Sequence, residues 1–293
     1  MKLSVIIPTY KDDERLQKCV EVLEQQVRDH SVEIIVVDNA GDTALREMLK
    51  RHLHTSYLAE TKPGSYAARN AGLRVASGDV IAFTDSDCLP EMDWVAQIFR
   101  LVHSSDADIF AGRVIVFPQN PDAVTSWEIA DMIFGFPIER RVNGRGGGVT
   151  ANLVARRSAF DAIGQFDGDV LSGADMEWCM LARRRGLKLV YNGGLAVRHP
   201  ARRRREDYLV KAKRVAGAMA ERFREEDLAK HVFRHLTRLA LPPLRDWITA
   251  AGDANFSFTN KLRGIWARTV FHYYIKWQIL RYLLCPTLQK ERR

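Results

Sequence analysis

Residues 78–90 read GDVIAFTDSDCLP, a buried-looking run that ends in two acids. Val80-Ile81-Ala82-Phe83-Thr84 is a short apolar run entered from a glycine, the pattern of a buried strand. It stops abruptly at Asp85-Ser86-Asp87. Two carboxylates at the tip of a buried strand repel each other, and a divalent cation between them would remove that cost. Asp-Ser-Asp is also sound turn chemistry, so a solvated turn is the plain alternative.

Strands and helices alternate on both sides of this run. LSVIIPTY (3–10), VEIIVVDN (32–39) and TSYLAE (55–60) read as strands. DERLQKCVEVLEQQV (13–27) carries Leu16, Val20, Leu23 and Val27 at helical spacing, and TALREMLKRHL (43–53) reads as a second helix. SYAARNAGLRVASG (65–78) is a helix with a Ser cap and a Gly stop, and MDWVAQIFRLVHSS (92–105) is another. This rhythm predicts an α/β fold with a mostly parallel sheet and helices on both faces. Ligands of such sheets bind beyond the carboxyl ends of the strands. Pro8-Thr9-Tyr10 with Asp12, Asp38-Asn39 and Asp85-Ser86-Asp87 all belong to that edge.

After residue 108 the rhythm loosens. DIFAGRVIVF (108–117) reads as a strand and DAVTSWEIADMIFGF (122–136) as a helix. NGRGGGVTAN (143–152), with four glycines, reads as a mobile loop. LVARRSAFDAIGQFD (153–167) returns to strand then helix. SGADMEWCMLARRRG (172–186) is a helix with Asp175 and Glu177 at its start and arginines in its last turn, as the helix dipole favours. Asp175 there is either a cap or a general base. LKLVYNGG (187–194) is the last strand, with His199 following it as a surface residue or a metal ligand.

The 293-residue chain is 46% hydrophobic and 27% charged, an ordinary globular composition. Cys19, Cys88, Cys179 and Cys285 show no CxxC spacing, which argues against zinc or a disulfide framework and fits a reducing compartment. The apolar run in MKLSVIIPTYKDDE is too short for a signal peptide, and no stretch of about 18 uncharged apolar residues predicts a spanning helix. The net charge of +8 is uneven: from Arg198 onward 22 Lys and Arg face 9 Asp and Glu, a net +13, so the rest carries −5. Such a tail suits anions, through Arg202–Arg205 for instance, yet it holds no nucleic-acid-binding motif. In RGIWARTVFHYYIKWQILRYLLCP (263–286), Trp266, Val270, Tyr273, Trp277, Leu280 and Leu284 fall at helical spacing, with Arg263, Arg268, Lys276 and Arg281 interleaved. This is either a helix lying on an anionic membrane surface or one packed on the core or on a second subunit of a homo-oligomer.

VIIPTYKDDERL, EIIVVDNAGD, GSYAARNAGLRVASGDVIAFTDSDCLPEMDW, TANLVARRSAFDAIGQFD and GADMEW occur in this order. Together they resemble the family-2 glycosyltransferases of GT-A fold, over about residues 3–200. The resemblance implies a GT-A, Rossmann-like mixed sheet in a nucleotide-sugar-binding and catalytic domain at 1–200, with a basic helical extension at 201–293. It implies transfer from a nucleotide-diphosphate-sugar, UDP-linked by default, to a hydroxyl acceptor with inversion, assisted by Mn²⁺ or Mg²⁺. By similarity, Pro8, Tyr10 and Asp12 line the nucleobase and ribose pocket and Asp38 bonds the nucleobase. Arg69, Asp85 and Ser86 belong to the donor site, Asp85, Asp87 and His199 to the metal site, and Asp175 is the catalytic base. Glu177 is the fallback, because the family often has Glu-Asp where this chain has Ala174-Asp175. Asn39-Ala40 departs from the family's usual second acid and Gly-Ser. The acceptor would be a saccharide or lipid-linked sugar of surface-polysaccharide assembly, met at 143–152 and 122–136, at the inner face of the cytoplasmic membrane. Rival readings are a catalytically degenerate nucleotide-sugar binder, or a membrane or nucleic-acid binder acting through the tail. A sugar nucleotidyltransferase would have a Gly- and Arg-rich loop where this chain reads PTYKDDERL.

Overall fold

The structure, a computed structural model, describes residues 1–27, 30–225, 231–233, 236–237 and 241–285. Four strands, β1 (Leu3–Thr9), β2 (Val32–Asp38), β3 (Thr55–Ala59) and β4 (Val80–Thr84), lie side by side in the order β3-β2-β1-β4, all parallel. β1 and β4 are buried along their whole length and β2 almost so, which is why they read as nearly continuous apolar runs. β3 stands at the sheet edge and is half-exposed. The intervening helices are α1 (Asp13–Gln26), α2 (Thr43–Leu49) and α3 (Ser65–Val75). α3 approaches the sheet so closely that a Cβ on Gly72 would stand 2.6 Å from Ile6 Cγ2.

The sheet continues through a short β5 (Leu89–Pro90), β6 (Ile109–Phe117), β7 (Asn152–Arg156) and β8 (Leu189–Pro200). The eight strands run β3-β2-β1-β4-β7-β6-β8-β5, with β7 antiparallel to β4 and β6, and β5 antiparallel to β8. This is the mixed α/β sheet of the GT-A plan. Asn152, fully buried, ties its centre: Nδ2 donates to the carbonyls of Arg113 and Leu195 (both 2.9 Å), and Oδ1 accepts from Trp94 Nε1 at 3.0 Å. Trp94 opens α4 (Trp94–Ser104).

Three readings change. The span 122–136 splits into one 3₁₀ turn (Pro121–Ala123) and α5 (Ser126–Phe134), because Thr125 and Glu128 form a capping box that restarts the helix. The glycine-rich span 143–152 is no mobile loop: it begins inside α6 (Ile138–Arg145) and continues buried. A Cβ at Gly147 would lie 2.4 Å from Met176 Sδ, and one at Gly148 would lie 2.7 Å from Leu153 Cδ1. These glycines serve close approach, not flexibility. The last strand runs on to Pro200, so His199 is a strand residue. α7 (Arg157–Ile163) and α8 (Ala174–Arg184) fall where the pattern put them.

The chain forms two compact units, 1–115 with 137–199, and 116–136 with 200–293. The sequence boundary at 200 left 116–136 in the first. It joins the second because Trp127 and Ala130 of α5 pack with Tyr208 and Ala212 of α9 (Arg205–Glu225) and with Ala267 and Phe271 further on. The fully buried Asp131 accepts from Arg202 Nη1 at 2.8 Å and from Lys211 Nζ at 3.4 Å. Burial brings the Lys211 amine down to about 8 against the pull of Asp131. Arg204 pairs with Asp207 at 3.1 Å. Two of the four consecutive arginines thus have partners inside the unit.

Candidate functional site

The site is built on the carboxyl edge of the parallel strands. The β1–β2 register sets Thr9 beside Asp38. β4 ends at Thr84, and Asp85 follows at once. The amide of Cys88 donates to the Asp85 carbonyl at 3.0 Å, turning the chain into β5, whose Leu89 and Pro90 pair with Arg198 and Val197 of β8. That two-residue ladder delivers His199, remote in sequence, to the acidic turn. Asp85, Asp87 and His199 each offer a ligand atom, all within 4.8 Å of one another. His199 Nε2 lies 3.6 Å from Asp87 Oδ2. The Asp87 carboxyl is pushed upward mainly by burial, with Asp85 and Asp12 adding repulsion and His199 and Arg15 opposing it. Two hard carboxylate oxygens and one imidazole suit a small divalent cation such as Mn²⁺ or Mg²⁺.

Each side chain of the acidic turn also has a protein partner. Buried Arg69, from α3, donates to Asp85 at 2.5 Å. Ser86 Oγ donates to Asp12 at 3.3 Å, and the other oxygen of Asp12 takes Arg15 Nε at 2.7 Å. Arg15 Nη1 reaches to 4.0 Å from Asp87. Three buried polar atoms here have no hydrogen-bond partner: Arg69 Nε, Thr9 Oγ1 and Thr84 Oγ1. Buried polar groups are rarely left so, and a polar ligand over this edge would satisfy them.

The expected nucleobase residues behave differently. Asp38 is buried, and its oxygens accept from the amides of Ala40 (2.7 Å) and Asp42 (2.6 Å) and from Tyr57 Oη (3.1 Å). It shapes the 38–42 turn. Asn39, where the family commonly has an acid, donates to the carbonyls of Glu60 (2.7 Å) and Lys62 (2.9 Å) and accepts from Gly64 (3.1 Å). Pro8 is buried within β1, whereas Tyr10 is exposed with Lys11 over its ring.

Asp175 sits in the first turn of α8, buried, and both its oxygens are held. Oδ1 accepts from Tyr66 Oη at 3.0 Å and from the Met176 amide at 2.8 Å; Oδ2 accepts from Thr150 N at 3.1 Å and Oγ1 at 3.4 Å. Burial, then the Asp175 charge, push the Tyr66 phenol well above its ordinary value, so it stays a donor. Tyr66 lies one turn before Arg69 on α3, and its ring is 5.3 Å from that guanidinium. One face of α3 therefore touches both Asp175 and Asp85. Asp175 is the acid that meets Tyr66, Thr150 and the Met176 amide.

Tyr66, Thr150 and Arg15 were not singled out in the sequence. For Tyr66 a signal existed: its i, i+3 spacing from Arg69 puts both on one face. Tyr66→Phe keeps the ring and removes the donor to Asp175. It is expected to lower kcat about tenfold with little change in donor KM and about 1 kcal/mol lost in stability. Steady-state kinetics beside urea unfolding check this, and a rise in KM alone would contradict it.

The family model described as "Glycosyl transferase family 2" matches residues 4–164. Glycosyltransferase AglE of Haloferax volcanii is 30% identical over 207 residues, 68% of this chain and 67% of AglE. Among solved structures, the mannosyltransferase PcManGT from Pyrobaculum calidifontis in complex with GDP-Man and Mn²⁺ is similar at TM-score 0.59 and 18% identity, over 99% of this chain and 87% of that one. TarS 1–349 of S. aureus in complex with UDP-GlcNAc is similar at TM-score 0.55 and 16% identity, over 100% and 90%.

Proposed function

The chain belongs to glycosyl transferase family 2 and is a glycosyltransferase, and from that premise we propose a metal-dependent, inverting transfer of a sugar from a nucleotide-diphosphate donor to a hydroxyl acceptor. The observation that carries it is the convergence of Asp85, Asp87 and His199 within 4.8 Å at the end of β4. Asp85, Asp87 and His199 would hold Mn²⁺ or Mg²⁺, which when bound neutralises the charge gathering on the leaving diphosphate. Arg69, with one donor on Asp85 and a buried Nε unpaired, supplies a second positive charge at the same edge. Asp175 accepts the proton of the acceptor hydroxyl as its oxygen attacks the anomeric carbon. Tyr66 and Thr150 keep that carboxylate in one orientation. A single displacement needs only one base and inverts the anomeric centre, with no covalent sugar–enzyme bond.

UDP-sugar is the proposed donor, with GDP-sugar the next candidate, since three of the similar structures are complexes with UDP or UDP-GlcNAc and one with GDP-Man. The turn built by Asp38 and Asn39, with exposed Tyr10, is the proposed nucleobase seat, and Asp12 and Ser86 are the proposed link between it and the acidic turn. The proposed acceptor is a saccharide or lipid-linked sugar of surface-polysaccharide assembly, used at the inner face of the cytoplasmic membrane.

The test is a thermal-shift panel of UDP, GDP, dTDP and CMP, each with Mn²⁺, Mg²⁺ or EDTA. One nucleotide should raise the melting temperature only with metal, by an amount that grows with concentration. If none stabilises the chain under any metal, the donor-site reading is wrong.

A further inference from the structure

The second unit carries an exposed apolar edge, of which Trp266 also lies against Trp127 of the core, ring centroids 5.5 Å apart. Its longest helix, Phe258–Leu284, turns Gly264, Ala267, Phe271, Gln278 and Tyr282 inward. Phe258 (75% exposed), Leu262, Trp266, Trp277 and Leu284 are exposed. Steps of four, four, eleven and seven residues are close to whole turns, so these five share one stripe along about 40 Å of helix. The stripe differs from the one read in the sequence: Leu280 is buried and Val270 and Tyr273 half-buried, while Phe258 and Leu262 join it.

The preceding helix, Leu244–Gly252, lies against this one, with Trp247 Nε1 on Thr269 Oγ1 at 2.9 Å and Arg268 on Asp246 at 2.7 Å. It exposes Leu244 and Ile248, the latter 73% exposed, with exposed Arg245 between them. Arg263 and Arg281 are 18 residues apart, about five turns, so they line one flank of the stripe. The segment from Arg198 onward bears a net +13. No described helix is long and apolar enough to cross a membrane.

We propose that this face seats the protein on an anionic lipid bilayer, its apolar side chains between the headgroups and Arg245, Arg263 and Arg281 against lipid phosphates. Charge selects this occupant. A second copy docked on the same face would set one basic flank against another, and like charges brought together oppose association. A bilayer with anionic headgroups offers both what the stripe lacks and what the arginines attract. The segment carries no nucleic-acid-binding motif that would turn the same charge toward a nucleic acid. The inference rests on the lipid-linked acceptor reading only for its use; binding itself is measured without donor, so either can fail alone.

The experiment is co-sedimentation of the full chain with vesicles of phosphatidylcholine, alone or mixed with phosphatidylglycerol. The chain should bind the anionic vesicles, bind neutral ones far less, and release as salt rises. Phe258→Ser, Leu262→Ser and Trp277→Ser together should weaken binding about tenfold or more at an unchanged melting temperature. Should that variant unfold, Ile248→Ser and Phe258→Ser, at the two most exposed positions, are to be measured singly with a smaller loss in each. Equal binding by wild type and folded variants overturns the proposal, as does no binding to anionic vesicles. A wild-type dimer that the variants convert to monomer also overturns it and assigns the face to a second copy.

Discussion

Asp175→Asn is expected to lower kcat by about three orders of magnitude while leaving metal-dependent nucleotide binding intact. General-base catalysis is worth about 10²–10⁴ in rate, and the amide cannot take the acceptor's proton. The shape of the side chain is kept, but the amide places an N–H where an oxygen accepted from Tyr66 and Met176, or from Thr150. One buried donor then faces another, so a stability loss of about 1–3 kcal/mol accompanies the kinetic effect. The two are separable: a folding defect lowers the active fraction and the melting temperature together, whereas loss of the base lowers turnover of protein that still binds nucleotide. A kcat within tenfold of wild type, at intact fold, would move the base elsewhere, with Glu177 two residues on as the first candidate.

The second large effect is expected at Asp87. Asp87→Ala removes one carboxylate of the Asp85, Asp87 and His199 cluster, so a metal held there would keep two of its three proposed protein ligands. Losing an outer-shell partner alone costs about 10–100-fold in metal affinity, and losing a direct ligand costs more. The stabilisation by nucleotide expected of wild type with Mn²⁺ should therefore vanish in the variant. Wild type in EDTA should behave like the variant in Mn²⁺. The metal-free variant should still melt cooperatively, since Asp87 lies on the half-buried turn and outside the apolar core. Titration calorimetry with the metal alone gives an independent reading. Unchanged Mn²⁺ affinity in Asp87→Ala would remove Asp87 from the metal site.

Much of this was legible along the chain, and for local reasons. A strand buried on both faces is apolar along most of its length, so β1, β2 and β4 announced themselves and the acids beyond β4 stood out against them. Helical spacing likewise declared α1, α3 and α8, and with α8 the place of Asp175. The order of these segments carried the family. Other features were hidden because they depend on what lies across space. Gly147 and Gly148 look the same in sequence whether they flex or admit a neighbour; Met176 and Leu153 decide that they are packed. Asp38 reads as a free acid at a strand end, but the amides of Ala40 and Asp42 occupy it.

The β1–β4 core with its helices, the acidic turn and the family could be read along the chain, because periodicity and motif spacing are properties of neighbouring residues, whereas β5 and α6 could not. Which distant groups meet is set by how the elements pair and dock. The β5–β8 pairing brings His199 to Asp87 across more than a hundred residues. α3 presents Tyr66 to Asp175 and Arg69 to Asp85 from one face. α5 leaves the strand pattern around it to pack with the C-terminal helices. Each is settled by sheet register or helix docking, whose energies arise from contacts that no local pattern encodes.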